Sequence, residues 1–364
     1  MQKELAQRLL AATLKWSPED IERYSNLIDN FAELKYDEYQ QYRPGSRFVE
    51  HLCAWLNQFE EGEEREIILQ FLLRNLTFIS TSEMHRLIET VYPEIVLPIF
   101  ESQTEGILRD YPSKEPLKDL IIELIKAKSA FFALSDGARI DVFRRVARLD
   151  HDQVCVDYSI SQIKSTEMLS KMNNRANKKD PEKKVLGLFQ DRFEHIFLLD
   201  DFSASGVSYL RKEGKSWAGK VFKAISDLED KKILDASSKA KIHIVLYLAT
   251  DKAVNRLRDY IKDYCVERCV DRNYEFDIHF IQKVSPVQLS PQEDAIFRKH
   301  YEKNKEIITD SHYKKGDMTN PHLGFDGCGL ALVIYHNTPN NSFPVIWAGE
   351  NALFPRVTRH KDVR

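Results

Sequence analysis

From residue 129 onward, short apolar runs alternate with segments of helical length and helical spacing. The runs are SAFFAL (129–134), QVCVDY (153–158), IFLL (196–199), IHIVLYLAT (242–250) and FDIHFIQKV (276–284). Between them stand IDVFRRVARL, ISQIKSTEMLSKM, KVFKAISDLEDKK and DKAVNRLRDYIKDYCVER, each with apolar residues at three- and four-residue intervals. A strand that is apolar on both faces must be covered on both faces, and a parallel neighbour needs a crossover about as long as a helix. The pattern therefore predicts an α/β fold with a mainly parallel sheet between two helical layers. Near the end, GCGLALVIYHN (327–337) and FPVIWA (343–348) are two further strand candidates.

The first 125 residues follow a different rule. Ser17-Pro18-Glu19-Asp20 opens a helix with a serine cap, proline in the first turn and acids beside the positive helix end. EEREIILQFLLRNL repeats apolar residues at helical spacing. Thr81-Ser82 starts another segment, in which Pro93 is expected to kink or end the helix. Two domains are expected: a helical interaction domain over 1–125 and an α/β domain over 126–364, with YPSKEP (111–116) as the link. No stretch resembles a signal peptide, and no run reaches the ~18 apolar residues of a membrane span. The five cysteines, Cys53, Cys155, Cys265, Cys269 and Cys328, lack paired CxxC spacing. They read as reduced and structural, in a cytoplasmic protein without a metal site. Residues 1–125 carry 13 Lys and Arg against 23 Asp and Glu, whereas residues 126–364 carry 40 against 33. The basic half is the one suited to phosphates, and the acidic half is a poor surface for DNA.

One stretch of the second half carries chemistry: HIFLLDDFSASGVSYLR (195–211). A buried strand runs into Asp200 and Asp201, and a turn of small residues, Ser203, Ala204, Ser205, Gly206, Val207 and Ser208, follows. Ligands of open α/β sheets bind at the carboxyl ends of the strands. A turn with little side-chain bulk lets successive backbone N–H groups converge on an anion. Two adjacent carboxylates beside such a cradle call for hydroxyl donors or a ligand-borne cation. A ribose 5-phosphate supplies the anion for the turn and the hydroxyls for the acids.

These residues resemble the phosphoribosyl diphosphate (PRPP) signature of type I phosphoribosyltransferases: four apolar residues, two acids, an apolar residue, two variable residues, then Ser/Thr-Gly-x-Ser/Thr. The resemblance implies that Asp200 and Asp201 contact the ribose hydroxyls and that 203–208 wrap the 5-phosphate. It also implies a diphosphate-binding loop after the first strand, where Ser135-Asp136-Gly137-Ala138-Arg139 stands. Arg139 would reach a diphosphate, although the segment also reads as an ordinary strand-to-helix turn. The lysine-rich stretch 173–184 occupies the place of a mobile substrate-covering loop, or is a solvated loop. Mg²⁺ would arrive on the diphosphate.

Two departures from the signature stand out. SYLRKEGKSWAGK separates the phosphate turn from the next helix, and no base-binding hood of a salvage enzyme is present. With the ending GFDGCGLALVIYHNTPNNSFPVIW, the chain is similar to a divergent bacterial group of phosphoribosyltransferase-like proteins from anti-phage islands and some retrons. Such an effector would transfer or cleave at ribose C1 of PRPP or a nucleotide. The alternative is a non-catalytic nucleotide-sensing or assembly subunit. Its helical domain would dock a partner such as a retron reverse transcriptase with its RNA–DNA. The turn 336–341 is a further candidate for the sheet edge, or a turn held by Asn and Pro. His195 and His243, near strand starts, read as structural.

Overall fold

The computed structural model describes residues 3–60, 62–109, 115–235, 239–269 and 272–356. Its strands in chain order are β1 (Thr77–Ile79), β2 (Ser129–Ala133), β3 (Val154–Cys155), β4 (His195–Ser203), β5 (Arg211–Glu213), β6 (Ser216–Ala218), β7 (Lys241–Ala249), β8 (Glu275–Lys283) and β9 (Leu332–Ile334). The chain divides into two compact units, His85–Val284 and a second made of Met1–Met84 with Ser285–Arg364.

The unit His85–Val284 is the α/β unit. Its sheet has the order β3-β2-β4-β7-β8, with every neighbouring pair parallel. β4 lies in the middle, and Ile196, Phe197, Leu198 and Leu199 are fully buried, as a strand flanked on both sides and covered on both faces must be. One face packs Ile196, Leu198, Ile242, Ile244 and Leu246 against Met168, Met172, Val221, Ile225, Val254 and Leu257 from three helices. On the other face Phe197 stacks on Phe131 at 4.8 Å, with Phe100 and Phe143 packed around the pair. The helices Gln162–Lys179, Lys220–Asp230 and Asp251–Arg268 provide the first covering layer.

The structure corrects the expectations for two segments and defines the form of two others. The lysine-rich stretch 173–184 is ordered: the helix continues to Lys179, buries Ala176, and ends at Asp180, whose carboxylate accepts the backbone N–H groups of Lys184, Val185 and Leu186. Pro93 neither ends nor breaks its helix. The stretch Tyr92–Val96 widens to π geometry, in which Leu97 N–H donates to the Tyr92 carbonyl, and the helix goes on to Leu108. Widening by one residue absorbs the missing proline donor. QVCVDY contributes only Val154–Cys155, at the sheet edge. The insertion after the phosphate turn is an antiparallel hairpin, β5 with β6, turning at Gly214.

The second unit joins both ends of the chain. The Ser17 cap is present, with its Oγ accepting the Asp20 N–H. β1 pairs in parallel with β9, so GLALVIYHN contributes a strand to the N-terminal helices and none to the main sheet. FPVIWA is a helical turn, Pro344–Trp347, started by proline. A short apolar run carries no period of its own, and burial decides its conformation. Trp55, fully buried, donates its indole N–H to the Val345 carbonyl at 2.7 Å. The compact units therefore do not divide at residue 125, because β9, 255 residues after β1, completes the N-terminal core. Residues 111–114 of the expected linker lie outside the described residues. No helix among the described residues is long and apolar enough to cross a membrane.

Candidate functional site at the carboxyl end of β4

β4 runs four residues further than its neighbour β2. Pairing with β2 ends at Ala133 opposite Leu199, while pairing with β7 continues through Ser203 opposite Ala249. Asp200 and Asp201 thus sit where the sheet is open on one side. Their side chains point to opposite faces, as consecutive strand residues must.

Asp200 is fully buried and already partnered. Its carboxylate accepts the Tyr209 hydroxyl at 2.6 Å, the Lys220 ammonium at 2.6 Å and the Ser135 hydroxyl. Burial raises this carboxyl above its ordinary value against the pull of Lys220, and burial also drives the Tyr209 hydroxyl well up. Tyr209 donates to the Phe202 carbonyl as well, at 2.8 Å, and Lys220 lies over its ring. These contacts make Asp200 the keystone of the turn that follows it.

Asp201 occupies the other face and remains partly accessible. Its carboxylate rests against Gly137, where a Cβ would stand 2.4 Å from Oδ2. The turn after β2 is the short 3₁₀ helix Asp136–Ala138, followed by Arg139 in the left-handed region at φ 41°. The Ala138 carbonyl accepts the Tyr247 hydroxyl at 2.5 Å, and Arg139 lies 3.7 Å from Asp141. The fold thus brings Asp201 against Gly137, the residue after Asp136 in the turn that ends at Arg139.

The turn 204–208 is pinned by its carbonyls. The Ala204 carbonyl accepts the Thr250 hydroxyl at 2.5 Å, and the Ser205 carbonyl accepts Arg256 at 2.7 Å. The Gly206 carbonyl accepts the Tyr209 N–H, the Val207 carbonyl accepts Arg211, and the Ser208 carbonyl accepts the Lys220 N–H. Among the described residues none accepts from the backbone N–H of Ser205, Gly206 or Ser208. Gly206 has φ 74° and lies so near the Ala253 carbonyl that a Cβ would meet it at 3.0 Å. Backbone donors without a protein acceptor, in a turn of small residues, are what an anion cradle requires.

The family PRTase-CE matches residues 52–356. The chain belongs to this phosphoribosyltransferase-like family. Comparison with curated proteins and with solved structures gave no match.

Lys220, Tyr209, Thr250 and Arg256 were not singled out from the PRTase-CE chain's sequence. Tyr209 and Lys220 lie near the two ends of the insertion that departs from the signature, and Thr250 and Arg256 follow an ordinary apolar strand, so nothing local marked them. The turn 336–341 belongs to the other compact unit. Thr338 is buried in the other compact unit, 2.8 Å from the Tyr39 hydroxyl.

Proposed function

We propose that the carboxyl end of β4 binds PRPP or the 5-phosphate of a nucleotide, with action at ribose C1. The observation that carries this reading is the turn 204–208, whose carbonyls are all engaged while the N–H groups of Ser205, Gly206 and Ser208 are not. A phosphate accepts such donors. Asp201, partly accessible beside the cradle, would take the ribose hydroxyls, and Asp136, Gly137 and Arg139 would face the diphosphate. As the bond from C1 to the diphosphate breaks, positive charge grows on the ring and negative charge on the leaving group. Asp201 would stabilise the first. Arg139, with Mg²⁺ carried by the substrate, would stabilise the second. Asp200 holds the turn and does not reach the ligand.

Calorimetric titration of the full chain with PRPP and Mg²⁺ tests this. Binding that falls more than tenfold in Asp201→Asn, with unchanged thermal unfolding, is the expected result. No heat from the wild type with either PRPP or a nucleoside 5′-monophosphate overturns the reading.

The engagement of Asp200 by Lys220, Tyr209 and Ser135 favours a second reading, a nucleotide sensor without turnover, because this buried carboxylate is committed to holding the turn. Measurable diphosphate release from PRPP would eliminate it. The resemblance of DDFSASGVSYLR and the ending GFDGCGLALVIYHNTPNNSFPVIW to anti-phage and retron proteins supports a role as a defence effector. A reverse transcriptase with its RNA–DNA would be the partner, and loss of phage protection in Asp201→Asn would be the cellular readout.

A further inference from the structure

A second cluster lies on the sheet away from the phosphate turn. β7 and β8 place His243 directly opposite Asp277, and His279 stands two residues further along β8, on the same face. One donor atom from each of the three falls within 4.8 Å of the others. His243 Nδ1 is 3.2 Å from His279 Nε2 and 3.9 Å from Asp277 Oδ2. Two imidazoles on one tetrahedral ion, each about 2.0–2.1 Å from it, stand roughly 3.3 Å apart.

The neighbours of His243 decide which of its nitrogens faces this point. The Gln103 amide oxygen lies 2.5 Å from His195 Nε2, and His195 Nδ1 lies 2.9 Å from His243 Nε2. An amide oxygen only accepts, so His195 carries its proton on Nε2 and accepts at Nδ1. His243 must then carry its proton on Nε2, which leaves the Nδ1 lone pair aimed at Asp277 and His279. An imidazole whose far N–H is fixed by a buried acceptor is the arrangement that orients metal-binding histidines. The same residues line a cleft of about 640 Å³, walled by Glu94, Pro98 and Gln103.

We propose that His243 Nδ1, Asp277 Oδ2 and His279 Nε2 form a site for a divalent transition-metal ion of the zinc class, with a fourth position open to the cleft. Two imidazoles and a carboxylate suit such an ion better than Mg²⁺, which keeps oxygen ligands and water. Three protein donors with an open position is the donor count of a zinc centre that takes water or a small anionic ligand, whereas purely structural zinc is closed by four. The site is separate from the Mg²⁺ that a diphosphate would carry and does not depend on the phosphate reading.

The test compares the full chain with Asp277→Asn/His279→Gln, both changes lying on the sheet's edge strand at positions that are not fully buried. Zn²⁺ titration with reduced cysteines should find one equivalent in the wild type that the double variant loses, or binds more than tenfold more weakly. Co²⁺ in the wild type should give visible absorption without a thiolate charge-transfer band. Equal Zn²⁺ number and affinity in both proteins overturns the proposal. So does a thiolate band that disappears in Cys265→Ser. Should the double variant fail to fold, His279→Gln alone decides by the same tenfold criterion.

Discussion

Gly137→Ala separates the two parts of the proposed phosphoribosyl site without touching its backbone. Gly137 is not in the left-handed region, so alanine imposes no backbone strain there, and the loss of unfolded-state freedom stabilises by about 0.4–1 kcal/mol. The new Cβ would stand 2.4 Å from Asp201 Oδ2 and 2.7 Å from its Cγ. Ordinary contact requires the carboxylate to move by about 1 Å. Turning it off its rotamer costs about 0.5–1.5 kcal/mol, so the two effects nearly cancel and stability should change by less than about 1 kcal/mol. Ligand binding has no such compensation. A displaced carboxylate loses a charge-assisted bond to the ribose of about 1.5–3 kcal/mol, which is roughly a 10–150-fold fall in affinity. Titration with PRPP and Mg²⁺, beside urea unfolding of the same preparation, reads both quantities. Full affinity in a folded Gly137→Ala protein would refute the role given to Asp201. A stability loss above about 2 kcal/mol would show that the carboxylate and the turn hold each other for structural reasons.

Lys220→Met should cost about 3 kcal/mol at neutral pH, because it leaves the fully buried Asp200 carboxylate without its cation. The folded-state pKa of Asp200 already lies above its ordinary 3.8, and losing the Lys220 ammonium raises it further. Such a group contributes stability fully present below about pH 3.8 and lost as pH rises through the folded value, so the deficit of the variant should shrink towards pH 4. Urea midpoints across that range check the sign, and a deficit that grows on acidification would contradict it. Residues 85–284 made alone should unfold cooperatively, whereas 1–84 alone should not, because its β1 strand and Trp55 find their partners at β9 and Val345. Circular dichroism melting of the two fragments distinguishes them, and a cooperative transition in 1–84 would overturn the division.

The pattern of apolar runs and amphipathic segments was enough to specify the parallel sheet and the central place of 196–199, because a strand buried on both faces has a composition that no exposed element shares. The small-residue turn was legible for the same local reason: only such residues allow the backbone to approach an anion. What these signals lacked was distance. Asp200 and Asp201 read as an equivalent pair, yet strand alternation sends one into the core beneath Tyr209 and Lys220 and leaves the other beside Gly137. Residues 173–184 read as a loop because their polar side chains hide the few, Ala176 and Asp180 among them, that bury. FPVIWA and GCGLALVIYHN both read as strand candidates, and short apolar runs do not say what covers them. Their helices, β1 partner and Trp55 lie at the opposite end of the chain, and so does the reason for their conformation. His195, His243, Asp277 and His279 are scattered over 85 residues, and only the pairing of three parallel strands sets their side chains next to one another.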